Sequence, residues 1–271
     1  MDRGKIKELI HGHTQKLARH AEAIDKGFDE EEIHAFRVEV KKLRALLRLL
    51  EVHYDHIPTR FSQKFRDLYH ISGHLRDAQL MHKGWDEKGL PPLPPLKEWL
   101  GKEIKKYEKA WKKQNEETSV GDFKERLQEM DYGHVDTDDL LLFFARRLNY
   151  IKRGVMNEPL NDEELHSIRK KLKDMQYVEK LCAGEWGKGL ETIGIFPIKK
   201  IQETADIAGK YNDLRISLEI LAGFETDNPG PGVGKALTEL KNYFLEQKIR
   251  QRKDLMDALQ VFNPPPPSVG G

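Results

Sequence analysis

Five side chains that carry or can acquire positive charge, His34, Arg37, Lys41, Arg44 and Arg48, follow one another at three- and four-residue steps. On a helix that spacing sets them along one line. The apolar residues Ile33, Phe36, Val40, Leu43, Leu47 and Leu50 keep close company with them, most of them one residue earlier, which rotates the basic line by about 100° from the apolar one. The cations therefore run along the flank of the buried stripe, where helices meet. Like charges at i,i+4 repel by roughly 0.2–0.5 kcal/mol per pair, so a sequence shaped by folding alone would usually mix signs on such a line. The row is suited to binding a polyanion. It is also the form of a solvated helix face, or of a set of partners for acids on neighbouring helices.

The second half of the chain carries the row again. DEEEIHAFRVEVKKL (29–43) aligns with NDEELHSIRKKLKDM (161–175), with His34 matched to His166 and Asp29 to Asn161, 132 residues apart in both cases. His166, Arg169 and Lys173 lie beside Leu165, Ile168, Leu172 and Met175, and Gln176 stands where the first copy has Arg44. Recurrence at matched positions favours the anion-binding reading. Both copies open with a capping box, in which Asp29 or Asn161 accepts first-turn amides and Glu32 or Glu164 reaches back. Further on, HISGHLRDAQL (70–80) aligns with DIAGKYNDLRI (206–216), pairing Gly73 with Gly209, Asp77 with Asp213 and Arg76 with Asn212. Pro58 and Pro197 sit where the helices bearing those glycines should begin.

The elements that position these rows are helices throughout. Apolar residues recur at steps of three and four, and period-two runs rich in Val, Ile and Thr are missing. Breaks at Gly27, Pro58, 89–96, Gly121, Gly133, Pro159, 184–189, Pro197 and 228–234 leave room for about eight helices. The expected organisation is a unit of about four helices used twice, over 1–133 and 134–262, followed by a disordered Pro-rich tail, 263–271.

Composition bounds the function. The 271 residues include 46 Lys+Arg against 45 Asp+Glu, a net charge of +1, so an anion-binding surface must arise from local sorting of charge. The single cysteine, Cys182, allows no internal disulfide. The start lacks a signal peptide's apolar core, and the longest apolar run, Leu140 to Ala145, has six residues where a bilayer span needs about 20. A soluble cytoplasmic protein is expected. Further cations lie at Lys42 and Lys210 within the repeated segments, at Lys105 and Lys109 in a lysine row, at Arg146 and Arg153, and at Lys248 and Arg252 in the last helix.

The segments HAFRVEVKKLRALLRLLE with SGHLRD, and HSIRKKLKDMQYVEKL with AGKYND, resemble the CHAD family, the conserved histidine α-helical domain, over nearly the whole chain. The pattern H-x-x-R-x-x-x-K-x-x-R followed by G-x-x-R-D is met in full by His34, Arg37, Lys41, Arg44, Gly73, Arg76 and Asp77. The second copy departs from it at Gln176 and Asn212. The resemblance implies an all-α fold of two pseudo-symmetric four-helix bundles with a basic groove or pore between them, and the binding of inorganic polyphosphate. It implies that His34, Arg37, Lys41, Arg44, His166, Arg169 and Lys173 contact phosphate oxygens, while Asp77 and Asp213 orient cations or serve as structural partners. Polyphosphate granules or a triphosphate-processing enzyme are the partners it suggests.

Rival chemistries find less support. The Gly234-Lys235 pair is followed by Ala236 and has Pro229 where a P-loop needs its first glycine. No strand carries the alternating Glu and Lys of a triphosphate tunnel enzyme, and no cofactor or metal is expected. His53 with His56, and His11 with His13, lack the spacing and remote partners of a zinc site. No helix-turn-helix, zinc finger or RNA-binding sheet signature is present, which disfavours nucleic acid. A scaffold for an acidic protein partner stays open. If His34 and His166 titrate near the usual 6.5, binding is expected to be tighter at pH 6 than at pH 8.

Overall fold

The structure, a computed structural model, describes residues 1–54, 57, 61–87, 93–118, 123, 125, 127, 129–157, 159–186, 197–228 and 234–262. The long elements are α1 (Arg3–Gly27), α2 (Glu30–Leu50), α3 (Gln63–Glu87), α4 (Pro94–Glu117), α5 (Thr137–Met156), α6 (Asp162–Trp186), α7 (Ile198–Asp227) and α8 (Gly234–Leu259), with a 3-10 turn at Gln260–Phe262. The fold is all-helical, as the periodicity requires. The expected breaks at Pro58, 89–92, Gly121, 187–189 and 229–233, and the tail 263–271, lie outside the described residues. Among the described residues no helix is long and apolar enough to cross a membrane.

Two compact units divide the chain, one of residues 1–134 with 216–244, the other of 135–215 with the chain from Leu245 on. The first unit thus takes the C-terminal part of α7 and the N-terminal part of α8, which the repeat in the sequence assigns wholly to its second copy. The added segments are anchored within that unit. Trp99 of α4 packs edge-on to Phe224, with ring centres 5.7 Å apart, and its Nε1 donates to Asp227 at 3.0 Å.

In the first unit α2 packs against α1 and α3, and α3 against α4. The apolar line Ile33, Phe36, Val40, Leu43, Leu47 and Leu50 is fully buried. Each such side chain contributes roughly 1.5–3 kcal/mol by leaving water. Trp111 stands edge-on to Phe36 at 5.2 Å between ring centres, and its Nε1 donates to Asp25 at 2.7 Å, tying α4 to α1.

Asp29 caps α2 by accepting from the amides of Glu31 and Glu32 at 2.9 and 3.0 Å. The expected return arm of the box is diverted, because Glu32 Oε2 lies 2.6 Å from His20 Nδ1 of α1. The second copy keeps its box: Asn161 Oδ1 accepts from the Glu163 and Glu164 amides, and Glu164 Oε2 accepts from the Asn161 amide at 2.7 Å.

A second pair, His13 Nδ1 to Glu39 Oε2 at 2.6 Å, lies seven residues away on both helices, the antiparallel register of α1 with α2. Burial alone would push the Glu39 carboxyl up. The hydrogen bonds from His13 and from Lys42 Nζ, with their charges, outweigh it and hold the group at about 2. Between about 4.5 and about 2 the unfolded chain binds more protons than the fold at this site, so Glu39 stabilises the fold above that window and ceases to as pH falls through it. Glu39→Gln should cost about 2 kcal/mol at pH 7 and progressively less on acidification, read from urea midpoints. An equal loss at pH 7 and pH 3 would exclude a strengthened carboxylate here.

In the second unit α5 packs against α6. Asp136 and Asp139 form a capping box at the start of α5. Buried Arg147 lies 3.3 Å from the centre of the Phe143 ring and 3.6 Å from Asp174 of α6.

Candidate anion-binding faces

The basic row of α2 lies in its seam with α3, with His34 exposed and Arg37, Lys41, Arg44 and Arg48 half-buried. Arg37 reaches across so that Nη1 donates to the Tyr69 main-chain oxygen at 2.7 Å and to Ser72 Oγ at 3.1 Å. Its guanidinium lies 4.4 Å from the centre of the Tyr69 ring. A Cβ at residue 73 would stand 2.7 Å from Nη1, so the glycine of G-x-x-R-D is the floor of the arginine's slot. Arg44 lies over Phe61 and Tyr69, 5.1 Å from each ring centre. Arg76 crosses the seam the other way, its Nη1 donating to the Glu30 main-chain oxygen at 2.7 Å.

Neutral oxygens thus satisfy Arg37 and Arg76 by hydrogen bonding without cancelling their charge. The resulting field shows in neighbouring groups. His34 is lowered by burial and by Arg76, Lys41 and Arg37, with Glu31 pulling the other way. Arg76 is lowered by burial first; Glu30, Glu31 and Asp77 oppose the shift and Arg37 adds to it. Half-buried Asp77 follows Arg76 on α3. Lys42 is on the other flank, held by Glu39 at 2.6 Å. Lys105 and Lys109 are exposed on α4.

The second face is built from the same parts, differently connected. His166 Nδ1 bonds Asn212 Oδ1 at 3.0 Å, and Arg215 Nη2 donates to the same oxygen at 3.3 Å. The cation missing at Asn212 therefore returns one turn later at Arg215, which the alignment did not single out. Arg169 Nε is buried without a hydrogen-bond partner, and a Cβ at Gly209 would meet nothing within 4 Å. The slot that Arg37 fills in the first unit is open here. Lys173 is paired with Asp206 at 3.0 Å, and buried Gln176 donates to the Gln202 main-chain oxygen at 3.2 Å. Lys248 bonds the Asp162 carboxylate, and Arg252 donates to the Leu160 main-chain oxygen. Lys210, Asp213, Arg146 and Arg153 are exposed on α7 and α5.

His166 is lowered to about 4, by burial and then by Lys170, with Arg215 and Arg169 adding and the Asn212 bond opposing. The expected gain in binding between pH 8 and pH 6 rested on imidazoles titrating near 6.5. Burial and then neighbouring cations instead lower both row-heading histidines, so they stay neutral to lower pH.

His70 and His74, one turn apart on α3, were not singled out by the spacing of the α2 row, although HISGH places them on either side of Gly73. His70 is lowered by burial, then by His74, Arg37 and Arg44, with Asp67 opposing. His13 is engaged with Glu39, His11 lines a separate cavity with Lys7 and Tyr132, and His56 lies outside the described residues. Among the described residues no group of three or more His, Cys, Asp or Glu is arranged to hold a metal ion.

The chain is defined structurally as an all-α protein in which a duplicated basic helix packs against a glycine-bearing one. The CHAD domain pattern matches residues 8–222, and the chain belongs to that family. Among solved structures it is similar to the CHAD domain from the plant Ricinus communis, at 16% identity over 97% of this chain and 93% of that one, with a TM-score of 0.74. It is also similar to PptA from Streptomyces chartreusis, at 12% identity over 96% of this chain and 99% of that one, with a TM-score of 0.60. At such identities the likeness is one of fold. No curated protein matches the sequence.

The two glycines give a direct test of the slot. Gly209→Ala should stabilise the protein by about 0.5–1 kcal/mol through helix propensity alone. Gly73→Ala should forfeit that gain, because Arg37 must swing away from Tyr69 and Ser72. Equal changes in thermal midpoint would remove the steric argument. His166 gives a second test. Its fold-state value lies below the unfolded one, so stability should fall as pH drops from about 6.5 to about 4. His166→Asn should flatten that slope by about 1–2 kcal/mol after allowance for partial exposure, in urea titrations at pH 7 and pH 4.5.

Proposed function

We propose that this protein binds inorganic polyphosphate through the basic faces of α2 and α6, without turning it over, in the cytoplasm. The observation that carries this reading is that Arg37 and Arg76 are held in place by main-chain oxygens and a hydroxyl, which leave the guanidinium charge of Arg37 in the seam. Polyphosphate is a flexible chain with about one charge per phosphate and no base or side chain to be read, so spaced cations are what its recognition needs. Arginine supplies forked hydrogen bonds and lysine a mobile point charge, so a mixed row can follow such a chain without fixed register. Family membership supports the same reading through the resemblance set out above.

Each cation that neutralises a phosphate should make affinity fall with salt, by analogy with counterion release from single-stranded nucleic acid. The test is a titration with long-chain polyphosphate, comparing wild type with Arg37→Glu plus Arg169→Glu, with helicity followed by circular dichroism. A loss on the order of 100-fold and a shallower salt slope are expected. A helical double variant that binds as tightly as wild type would show that these faces are not the site. Orthophosphate release from polyphosphate with magnesium present should stay at background; turnover would overturn the binding-only reading.

A further inference from the structure

The α3 strip beside the Arg37 slot carries chemistry that the α2 row does not account for. His70 and His74 are both exposed, and they share one line of α3 with Asp67 and Asp77. Arg37 lies on the Tyr69 ring next door, and His70 falls within the fields of both Arg37 and Arg44. One turn on, His74 stacks on Tyr107 of α4, with ring centres 5.3 Å apart and planes at 19°. Lys106 Nζ is 5.5 Å from the centre of the same Tyr107 ring. These side chains make a path that crosses α2, α3 and α4, where the row of Arg37, Lys41 and Arg44 runs along α2 alone.

We propose that His70 and His74 are further anion-binding residues, leading a polyphosphate chain from the arginines of α2 across α3 to α4. The inference rests on the polyphosphate reading above. Facing His70 are Arg37 and Arg44 from α2, with Asp67 and His74 on its own helix. Facing His74 is Tyr107 of α4, itself beside Glu103 and Lys106 and within reach of Asp77. Of these acids, Glu103 is paired with Lys106 at 2.9 Å, while Asp67 keeps its charge in a bond from neutral Gln63 at 2.6 Å. At His70 burial, and then His74, Arg37 and Arg44, oppose protonation and outweigh Asp67. An arriving polyanion reverses the sign of that field. The imidazole then gains a proton as the chain binds, and its N–H groups donate to phosphate oxygens.

The experiment uses the full chain, long-chain sodium polyphosphate and the double variant His70→Asn plus His74→Asn, whose exposed positions spare the core. Affinity is measured at pH 6 and pH 7.5, and proton uptake from the dependence of binding heat on the ionisation heat of the buffer. Wild type should take up protons on binding. The variant should take up fewer and lose affinity by roughly three- to tenfold at pH 6, with a smaller loss at pH 7.5. If wild type binds and the helical variant matches it in affinity and proton uptake, His70 and His74 lie off the path and the α2 reading stands. If wild type does not bind polyphosphate, the functional reading fails and this inference with it.

Discussion

The guanidinium of Arg37, laid across α3 against Gly73, is the constraint on which the first face depends. A cation placed in a helix seam loses water and must recover hydrogen bonds inside the protein. A carboxylate would supply them, but it would cancel the charge. The Tyr69 main-chain oxygen and the Ser72 hydroxyl supply them and leave the charge intact. That solution needs room for the guanidinium at residue 73, where a Cβ would stand 2.7 Å from Nη1 and push the arginine out. Arg76 repeats it in reverse on the Glu30 oxygen, so the seam is pinned from both sides by groups that stay positive.

Charge sorting on α2 completes the arrangement. Its apolar line faces the core, Arg37 and Arg44 face α3, and its acids Glu32 and Glu39 face α1. There His20, His13 and Lys42 occupy the carboxylates, so they are not available to quench the opposite flank. A chain with a net charge of +1 thereby gathers Arg37, Lys41, Arg44 and Arg48 along one flank of α2, with Glu30 and Glu31 at its start. Hydrophobic burial supplies most of the stability, while these polar contacts fix which flank of the helix faces which neighbour.

The stripe, its basic flank, the duplication and the caps were legible because each is periodic or local, and a helix converts period directly into direction. What a cation bonds to was not legible. Lys42 counted among the candidate cations beside the row, yet it closes on Glu39 one turn away on its own helix. Lys248 and Arg252 are likewise drawn to the start of α6 by Asp162 and the Leu160 oxygen, contacts more than 80 residues distant in sequence. Alignment by position recorded Asn212 as a lost arginine. It could not see that a helix presents nearly the same face again at Arg215. The expected box at Asp29 was half right for a similar reason, since the pull of His20 on Glu32 comes from another helix. The sharing of α7 and α8 between units has no local signal at all.

The second face shows how the same parts yield a different electrostatic result. Its slot over Gly209 is unfilled, and Lys173 and Lys248 bond carboxylates where Arg37 and Arg76 bond neutral oxygens. On the proposed reading, an anion reaching the first face meets Arg37 and Arg76 bonded to neutral oxygens, with Glu30, Glu31 and Asp77 acting on Arg76. At the second face it must exchange with Asp206 or Asp162. Exposed ion pairs are worth about 0–1 kcal/mol, so displacing Asp206 from Lys173 opposes binding only slightly. Asp162 is harder to displace, because Lys248, Tyr211 and Arg252 converge on it and hold it lowered against the upward push of burial. Lys170, Arg215 and Arg169 supply positive field at His166. The cations acting on His166 thus gather at the N-terminal end of α6, whereas the basic row of the first unit runs along α2 through Arg44.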